Sequence, residues 1–509
     1  MEMFAGEVNE SDKVFMDFAT TVDVIIGDAE APASLRHEVL QLAIIFMCGI
    51  NQLSPGAYFL RRDLFGSILS IMKDPKTEMY TFEALLLLSL LANFHKSDAA
   101  KLNPYLQRIA ETTDIALMRN ICWAANFATA ATIKAYQVIS DDSPPTMASA
   151  FTPLVASLRL DHALSSTPVD PPRELFKNQP IEACLVLLPV FEFLHSNRTF
   201  LDVLLEPMLT DTDNKPAPTS SSPLPYNLIT LSSYLTAHAT SLSSPRAIAY
   251  ANLALSILLT FVEKEEIMRL FSQPSLTDIR LCRQRLPVLP LTSPPRPPVC
   301  AILDCCVIWL RHNLHRQLEV YMYMWVLDSK YHHSQLIDSR TCVRICHRVL
   351  WYLQKESIRL EYHWLELWKA VFGLLDFLVN KLDSLATTGG IQVLAQETIL
   401  LLDSAFRKAD DFLPAPSAVH ASMYELVRSA PALRKLKIML RSLAVPNSSL
   451  DESPSNALSR LIAAATYYEE KIASAQSRTA SQALRVVAKN IDQDGIHGLD
   501  HESHTENPP

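Results

Sequence analysis

Trp364-Leu365-Glu366-Leu367-Trp368-Lys369-Ala370-Val371-Phe372-Gly373-Leu374-Leu375-Asp376-Phe377-Leu378-Val379 is the stretch that decides the fold. Trp364, Leu367, Trp368, Val371, Phe372, Leu375, Leu378 and Val379 recur at steps of three and four, which puts them on one face of a long helix. So wide a stripe of large apolar side chains has to be covered by other helices. The same spacing continues through Ile391–Phe406 and Ala418–Leu443. Earlier in the chain it predicts helices over Ser34–Ile50, ended by Ser54-Pro55-Gly56, and over Leu60–Met72, Phe82–Phe94 and Tyr105–Ala135. In Ser34–Ile50 the stripe reads Leu35, Val39, Leu42, Ile45 and Phe46. Further helices are expected over Ile181–Leu205, Tyr226–Ser241, Ala247–Phe271, Asn456–Ala473 and Ala480–Asn490.

Composition agrees with a helical chain. Only 10 of 509 residues are glycine, where ordinary usage of about 7% would give roughly 36. Nucleotide-binding loops and β-rich folds need that residue for tight turns, so both are disfavoured. The prolines cluster instead between apolar blocks, as connections do. The expected organisation is N-terminal helical repeats over 1–140, a Ser/Pro-rich linker over 141–180 with one short helix near Ala150–Leu160, and middle repeats over 181–272 interrupted by Asp211–Pro225. A Pro-rich linker over 273–298, a C-terminal armadillo-like helical domain over 299–445 and a tail over 446–509 complete it. The tail is helical first and disordered from Asp492. Helical hairpins recur at about 40 to 50 residues, near the armadillo and HEAT period. The fold expected is therefore all-α, an irregular armadillo/HEAT-like α-solenoid with Pro/Ser-rich linkers.

The formal net charge is −9 and no long basic run occurs, so nucleic acid is not an expected partner. The nine cysteines are odd in number and scattered among apolar residues. No signal peptide opens the chain, so a disulfide framework is not expected and a cytoplasmic setting is. The sequons at Asn9, Asn197 and Asn447 then read as chance matches. Ala247–Val262 is the longest apolar run, broken by Asn252, Ser256 and Thr260. It falls short of the roughly 20 residues a bilayer requires, and a buried helix is the expected reading.

GxxxxGK[ST], GxSxG and HExxH are all absent, so no catalytic residue, cofactor or small-molecule substrate is expected, and no enzyme. Cys300, Cys305, Cys306, Cys342 and Cys346 with His332, His333 and His347 are numerous enough for a zinc site, but the paired CxxC spacing is missing and core packing is the expected role. Arg311-His312-Asn313-Leu314-His315-Arg316 is a polar strip between apolar runs, read as a ligand face or as an exposed helix end. Arg434, Lys435, Lys437 and Arg441 make a basic face, suited to an anionic membrane or simply solvated. Pro294 and Pro297 form a PxxP, read as a stiff spacer rather than an SH3 ligand.

Several stretches resemble the armadillo-like helical domain-containing family, shared by vertebrates and fungi, with a fungal member expected here. They are Leu310-Arg311-His312-Asn313-Leu314, Trp351-Tyr352-Leu353-Gln354-Lys355 and Arg359 through Trp368 (RLEYHWLELW). Asp411-Phe412-Leu413-Pro414-Ala415-Pro416 with Tyr424-Glu425-Leu426, and Leu91 through Lys96 (LANFHK) with Asn103-Pro104-Tyr105, extend the likeness. The resemblance implies a non-catalytic scaffold on the cytosolic side of Golgi membranes, a partner of phosphatidylinositol 4-kinase beta and of an Arf exchange factor, supporting Golgi organisation and secretion. In the family pattern Val320-Tyr321-Met322-Tyr323 runs almost directly into Val343-Arg344-Ile345-Cys346, whereas here Met324–Thr341 intervenes. Relatives carry sequence before the point that matches Met1, so the solenoid is expected to lack an N-terminal cap. Arg311, His312, Tyr362, Trp364 and Trp368 are the candidate partner-binding residues, since Trp and Arg dominate interfaces when central, with core packing the competing role for the two tryptophans. The alternatives are an integral membrane protein anchored near 247–262 and a cargo adaptor or nuclear transport receptor.

Overall fold

The computed structural model describes residues 8–49, 53–93, 103–140, 179–210, 222–239, 244–282, 289–290, 295–324, 336–385, 391–443 and 452–496. Among these residues there is no strand; an isolated antiparallel bridge pairs Ser275 with Arg296. The expected short helix near Ala150–Leu160 lies outside them, as do 211–221 and 497–509. Helix continues to Asp494, past the start expected for a disordered tail.

Contacts divide the chain into two compact units, 1–143 with 178–231 and 144–177 with 232–509. The division falls inside the block drawn over 181–272, within a single helix. The first unit holds α1 (Val8–Gly27), α2 (Ala33–Gly49), α3 (Leu53–Arg61), α4 (Phe65–Lys73), α5 (Thr81–Ala92), α6 (Pro104–Glu111) and α7 (Ile115–Ser140). After a 3-10 turn over Ile181–Val186 come α8 (Leu187–Ser196), α9 (Arg198–Thr210) and the first half of α10 (Leu224–His238).

Short polar side chains decide where these helices break. The continuous helix expected over Tyr105–Ala135 is two, because Asp114 leaves the ladder and accepts the N–H of Leu117 at 3.1 Å. Asn197 interrupts Ile181–Leu205 in the same way: its Oδ1 accepts from Phe200 N at 2.7 Å, while its Nδ2 donates to the carbonyls of Ile109 and Thr112. That side chain is buried and fully used, so the folded chain cannot present it as a glycan acceptor. Ser54-Pro55-Gly56 does not end a helix but lies in the first turn of α3, where a proline loses no hydrogen bond.

In α2 the buried face is not the expected one. Leu40, Ala43 and Met47 point inward with Arg36, whereas Leu35, Leu42 and Ile45 are exposed, Ile45 by 67%. Arg36 is only 1% exposed. It donates to Ile26 O at 3.0 Å, Asp74 Oδ2 at 2.6 Å and Ser70 Oγ at 2.9 Å, so burial leaves its guanidinium satisfied. Nearby, Tyr105 donates its hydroxyl to Phe59 O at 2.6 Å and accepts from Leu64 N at 3.2 Å, tying α6 to the end of α3.

The second unit contains the rest of α10, then α11 (Pro245–Glu263), α12 (Glu265–Phe271), α13 (Pro298–Met324), α14 (Leu336–Lys355), α15 (Trp364–Leu385) and α16 (Ile391–Arg407). The single turn α17 (Ala409–Phe412) precedes α18 (Pro416–Arg428), α19 (Ala430–Leu443), α20 (Glu452–Ser474) and α21 (Ala480–Asp494). Within this unit the helices lie in two rows: α11, α14, α16 and α20 pack in that order, and α13, α15, α18 with α19, and α21 pack beside them. Starts follow the sequence signals. Ser244 caps α11 ahead of Pro245, and Thr479 forms a capping box with Gln482 at α21. Asp403, buried in α16, receives Arg460 of α20 at 3.0 and 2.6 Å and Arg407 at 3.0 Å, fixing one row neighbour to the next.

Helix α11 is long and apolar enough by composition to cross a membrane. Ala247, Ile248, Ala251, Leu255, Leu258, Phe261 and Val262 are nevertheless buried, and the helix packs against α14. Its place is that of a core helix.

The reassigned face of α2 is directly testable by chemical unfolding. Arg36→Met strands Asp74 and the Ile26 carbonyl and is expected to cost about 2–4 kcal/mol, while Ile45→Ser stays within about 0.5 kcal/mol. The reverse order would show that the apolar stripe read from sequence is the buried one.

Candidate partner-binding site

Four of the candidate residues, Arg311, Tyr362, Trp364 and Trp368, gather where α13, the loop 356–363 and the start of α15 meet. They form two polar contacts around an aromatic column. Trp364 and Trp368, one turn apart, stack at 5.9 Å between ring centres and 19° between planes. Trp364 meets Phe412 edge-on at 4.8 Å, and Trp368 lies 5.5 Å from Phe406. Trp364 donates its indole N–H to Leu360 O at 3.0 Å, and Leu360 N in turn donates to Phe412 O at 2.9 Å. Both indoles are buried, Trp368 to 1% exposure. They are core side chains and offer a partner no surface.

Tyr362 extends the column, edge-on to Trp364 at 5.2 Å. Its hydroxyl donates to Asp304 Oδ1 at 3.0 Å. Arg296 closes the cluster: its Nη1 pairs with Asp304 Oδ2 at 2.8 Å and its guanidinium sits 5.8 Å from the centre of the Tyr362 ring. The backbone of Arg296 is held as well, exchanging hydrogen bonds of 3.3 and 3.2 Å with Ser275. Burial raises the Asp304 carboxyl by more than Arg296 and Tyr362 lower it. Burial, then the charge of Asp304, pushes the Tyr362 phenol well above its ordinary value. The arginine of the expected PxxP spacer is thus committed inside the fold; Pro294 itself lies outside the described residues.

Arg311 reaches from α13 to α15, pairing with the Glu366 carboxylate and donating to Glu366 O at 3.2 Å. Burial acts to raise the Glu366 carboxyl, but hydrogen bonds from Arg311 and Lys369 outweigh it and hold the group below its ordinary value. His312 is buried, and Asn313 donates to Thr236 O at 2.6 Å and Trp309 O at 3.2 Å. The strip expected to be a ligand face or an exposed helix end is therefore the middle of a helix locked to its neighbours. The side chains of His315 and Arg316 lie outside the described residues.

The remaining chemistry-bearing groups are similarly placed. Cys300, Cys305, Cys306, Cys342 and Cys346 are buried; burial pushes the Cys300 thiol up to about 12. Cys306 rises through its contact with Cys342 first and burial after, and Cys346 through its contact with Cys306. Cys300, Cys305, Cys306 and Cys346 are thiols rather than thiolates at neutral pH. Among the described residues no group of three or more His, Cys, Asp and Glu is placed to hold a metal ion; His332 and His333 lie outside them. On α19, Arg434 pairs with Glu469 and Lys437 donates to Ser459 at 3.1 Å. Two cations of the expected basic face therefore turn toward α20, and Lys435 is exposed.

Sequence reading missed Asp304 and Arg296. The signal was present: Asp304 is the one acid in the apolar run Val299–Leu310, and a carboxylate there is costly unless a cation joins it.

Residues 296–496 match the family model described as Armadillo-like helical domain-containing protein 3, C-terminal. The match starts at the arginine that closes the cluster and covers α13 to α21. Over that stretch the chain is similar to the armadillo-like helical domain-containing family. The likeness runs well beyond that domain. The chain is 25% identical to the Homo sapiens Armadillo-like helical domain-containing protein 3 over 521 residues, covering 92% of this chain and 71% of the relative. The Danio rerio protein of the same name is 24% identical, with 93% and 72% covered. A UPF0588 membrane protein of Schizosaccharomyces pombe is 23% identical over 64% of this chain and 48% of its own length. No solved structure matches.

Glu366 makes the Arg311 contact titratable. Because its folded value is depressed, the pair's contribution is present above the ordinary carboxylate range and is lost as pH falls through the folded value. Arg311→Ala is expected to cost about 1–2 kcal/mol at pH 7, and the gap from wild type closes as unfolding is followed into acid. A gap that stays constant below pH 4 would show that Glu366 is not the partner through which Arg311 stabilises.

Proposed function

We propose that the chain is a non-catalytic helical scaffold that binds membrane-trafficking proteins, among them a phosphatidylinositol 4-kinase and an Arf exchange factor, and supports Golgi organisation and secretion from the cytosolic face. The observation that carries the non-catalytic part is the fate of the polar groups in the second unit. Asp304, Arg296, Tyr362, Arg311 and Glu366 are matched with one another, and four buried thiols are held protonated. General acid–base or nucleophilic chemistry needs a group of tuned pKa open to a substrate, whereas burial encloses the Asp304 carboxyl, the Tyr362 phenol and the thiols of Cys300, Cys305, Cys306 and Cys346. A helical scaffold acts instead through the surfaces that such a framework holds rigid. Similarity to the armadillo-like helical domain-containing family supports that role; the kinase, the exchange factor and the Golgi come from the family resemblance.

A second reading, an integral membrane protein, has a specific observation behind it. Helix α11 has the length and apolarity of a span, and the fission yeast relative is named a membrane protein. The burial of α11 against α14 favours the peripheral reading.

One experiment separates the two. Membranes from cells that naturally make the protein, carrying a tagged copy, are washed with alkaline carbonate, and protein complexes from unwashed lysate are captured on the tag for mass spectrometry. The scaffold reading expects release by carbonate and co-capture of a phosphatidylinositol 4-kinase or an Arf exchange factor. Retention in the carbonate pellet would establish a span, and capture of nuclear transport proteins instead would replace the trafficking role with that of a transport adaptor.

A further inference from the structure

Helix α21 lies on α18 and α20, but it is joined to them sparingly. Of its 15 residues, Ala483 and Val487 are buried, while Leu484, Val486 and Ile491 are half-buried beside them. Helix α20, by comparison, buries Leu458, Leu461, Ala464, Ala465 and Tyr468 and is pinned by Arg460 to Asp403 at 2.6 Å. Among the described residues the ion pair that ties α21 to another helix is Asp492 with His420 of α18 at 3.0 Å, and the Asp492 side chain is 61% exposed. Just beyond it, Tyr468 of α20 donates its hydroxyl to Gly495 O at 3.3 Å. Elements with few buried apolar contacts and exposed ties are the first to open.

The connection between α20 and α21 is finished without help from docking. Helix α20 closes on itself: Gln476 N donates to Ala473 O at 3.0 Å and Ser477 N to Ile472 O at 3.4 Å, with Gln476 in the left-handed region at φ 52°. Helix α21 begins on its own capping box of Thr479 and Gln482. Residues 477–479 therefore form a hinge on which α21 can leave as a piece while α20 stays wound. The seat it would vacate takes two small apolar side chains one turn apart and offers His420 to a carboxylate further along. That is a groove for an amphipathic helix.

We propose that α21 is a built-in stand-in for the helix of a partner protein. The groove of α18 and α20 is the docking surface, α21 occludes it, and an amphipathic helix with small apolar residues one turn apart, followed by an acid, takes its place. A helix tethered by so short a hinge competes at an effective concentration of about a millimolar, so the closed chain withholds the groove and opening it raises the apparent affinity. This rests on the scaffold reading and names its surface. The groove is probed with the chain's own helix, so its failure leaves the trafficking partners untouched.

The probe is a labelled synthetic peptide of residues 478–496, its binding to the purified full chain followed by fluorescence anisotropy. Val487→Asp in the chain dislodges the resident α21 and is expected to tighten peptide binding about tenfold or more over wild type. Ala483→Glu does the same from a second position. Circular dichroism and unchanged hydrogen exchange in α15 and α16 confirm that both chains are folded. A peptide carrying Asp492→Lys binds the opened chain a few-fold more weakly, as an exposed ion pair allows, and His420→Ala in the chain removes that difference. In wild type the amides of α21 exchange about tenfold or more faster than those of α20. From tagged wild type in lysate of its own cells, excess peptide releases captured proteins that a Val487→Asp peptide leaves bound. The proposal is overturned if the opened chains bind the peptide no better than wild type, if α21 exchanges as slowly as α20, or if proteins are captured and the peptide displaces none of them.

Discussion

Helix α15 cannot exist in water by itself, and the second unit is arranged around that constraint. Trp364, Leu367, Trp368, Val371, Leu375 and Leu378 are buried, and the side left to solvent is the stripe of Lys369, Gly373, Asp376 and Asn380. The neighbours that cover it are α13, α16, α18 and α19, so one helix sets where four others must lie. Truncating a buried Trp costs about 3–5 kcal/mol, a large part of the stability of an ordinary domain. The family match begins just before the elements that enclose this helix and runs on past them through α20 and α21.

Buried polar pairs complete what apolar packing leaves undetermined. Leu, Val and Ile fill space without strongly fixing how far one helix slides along another. Asp403 with Arg460, Asn313 with the Thr236 carbonyl, and Arg36 with three acceptors are each satisfied in one register only. Asp304 does more, because it also holds the chain entering α13 through Arg296 and the loop before α15 through Tyr362. A group so fully matched inside the fold has no capacity left for a substrate, and this links the packing to the scaffold reading.

The periodicity of α15 was legible because its stripe is broad, unbroken and buried in the predicted sense. Helix α2 was misread, since exposed Leu and Ile imitate a core face, while the residue that truly faces inward is an arginine whose acceptors lie 10 and 38 residues away. Breaks at Asp114 and Asn197 were missed because a side chain that caps a helix and one that merely sits on its surface look alike in sequence. Of the candidate site, Arg311, Tyr362 and the two tryptophans come near one another in the fold, and the tryptophans take the core role that competed with partner binding in the sequence. Burial turned the tryptophans into core, and the partner of Tyr362 was a carboxylate hidden among apolar residues.

The central claim is that the enclosure of α15 holds the second unit together as one cooperative body. Hydrogen exchange by mass spectrometry on the full chain, wild type against Trp368→Ala, tests it most directly. The account predicts faster exchange in α13, α16, α18 and α19 together with α15, and unchanged exchange in α4, α5 and α7 of the first unit. Faster exchange confined to the turns of α15 next to residue 368 would contradict it, because the neighbouring helices would then be shown to hold their places without it.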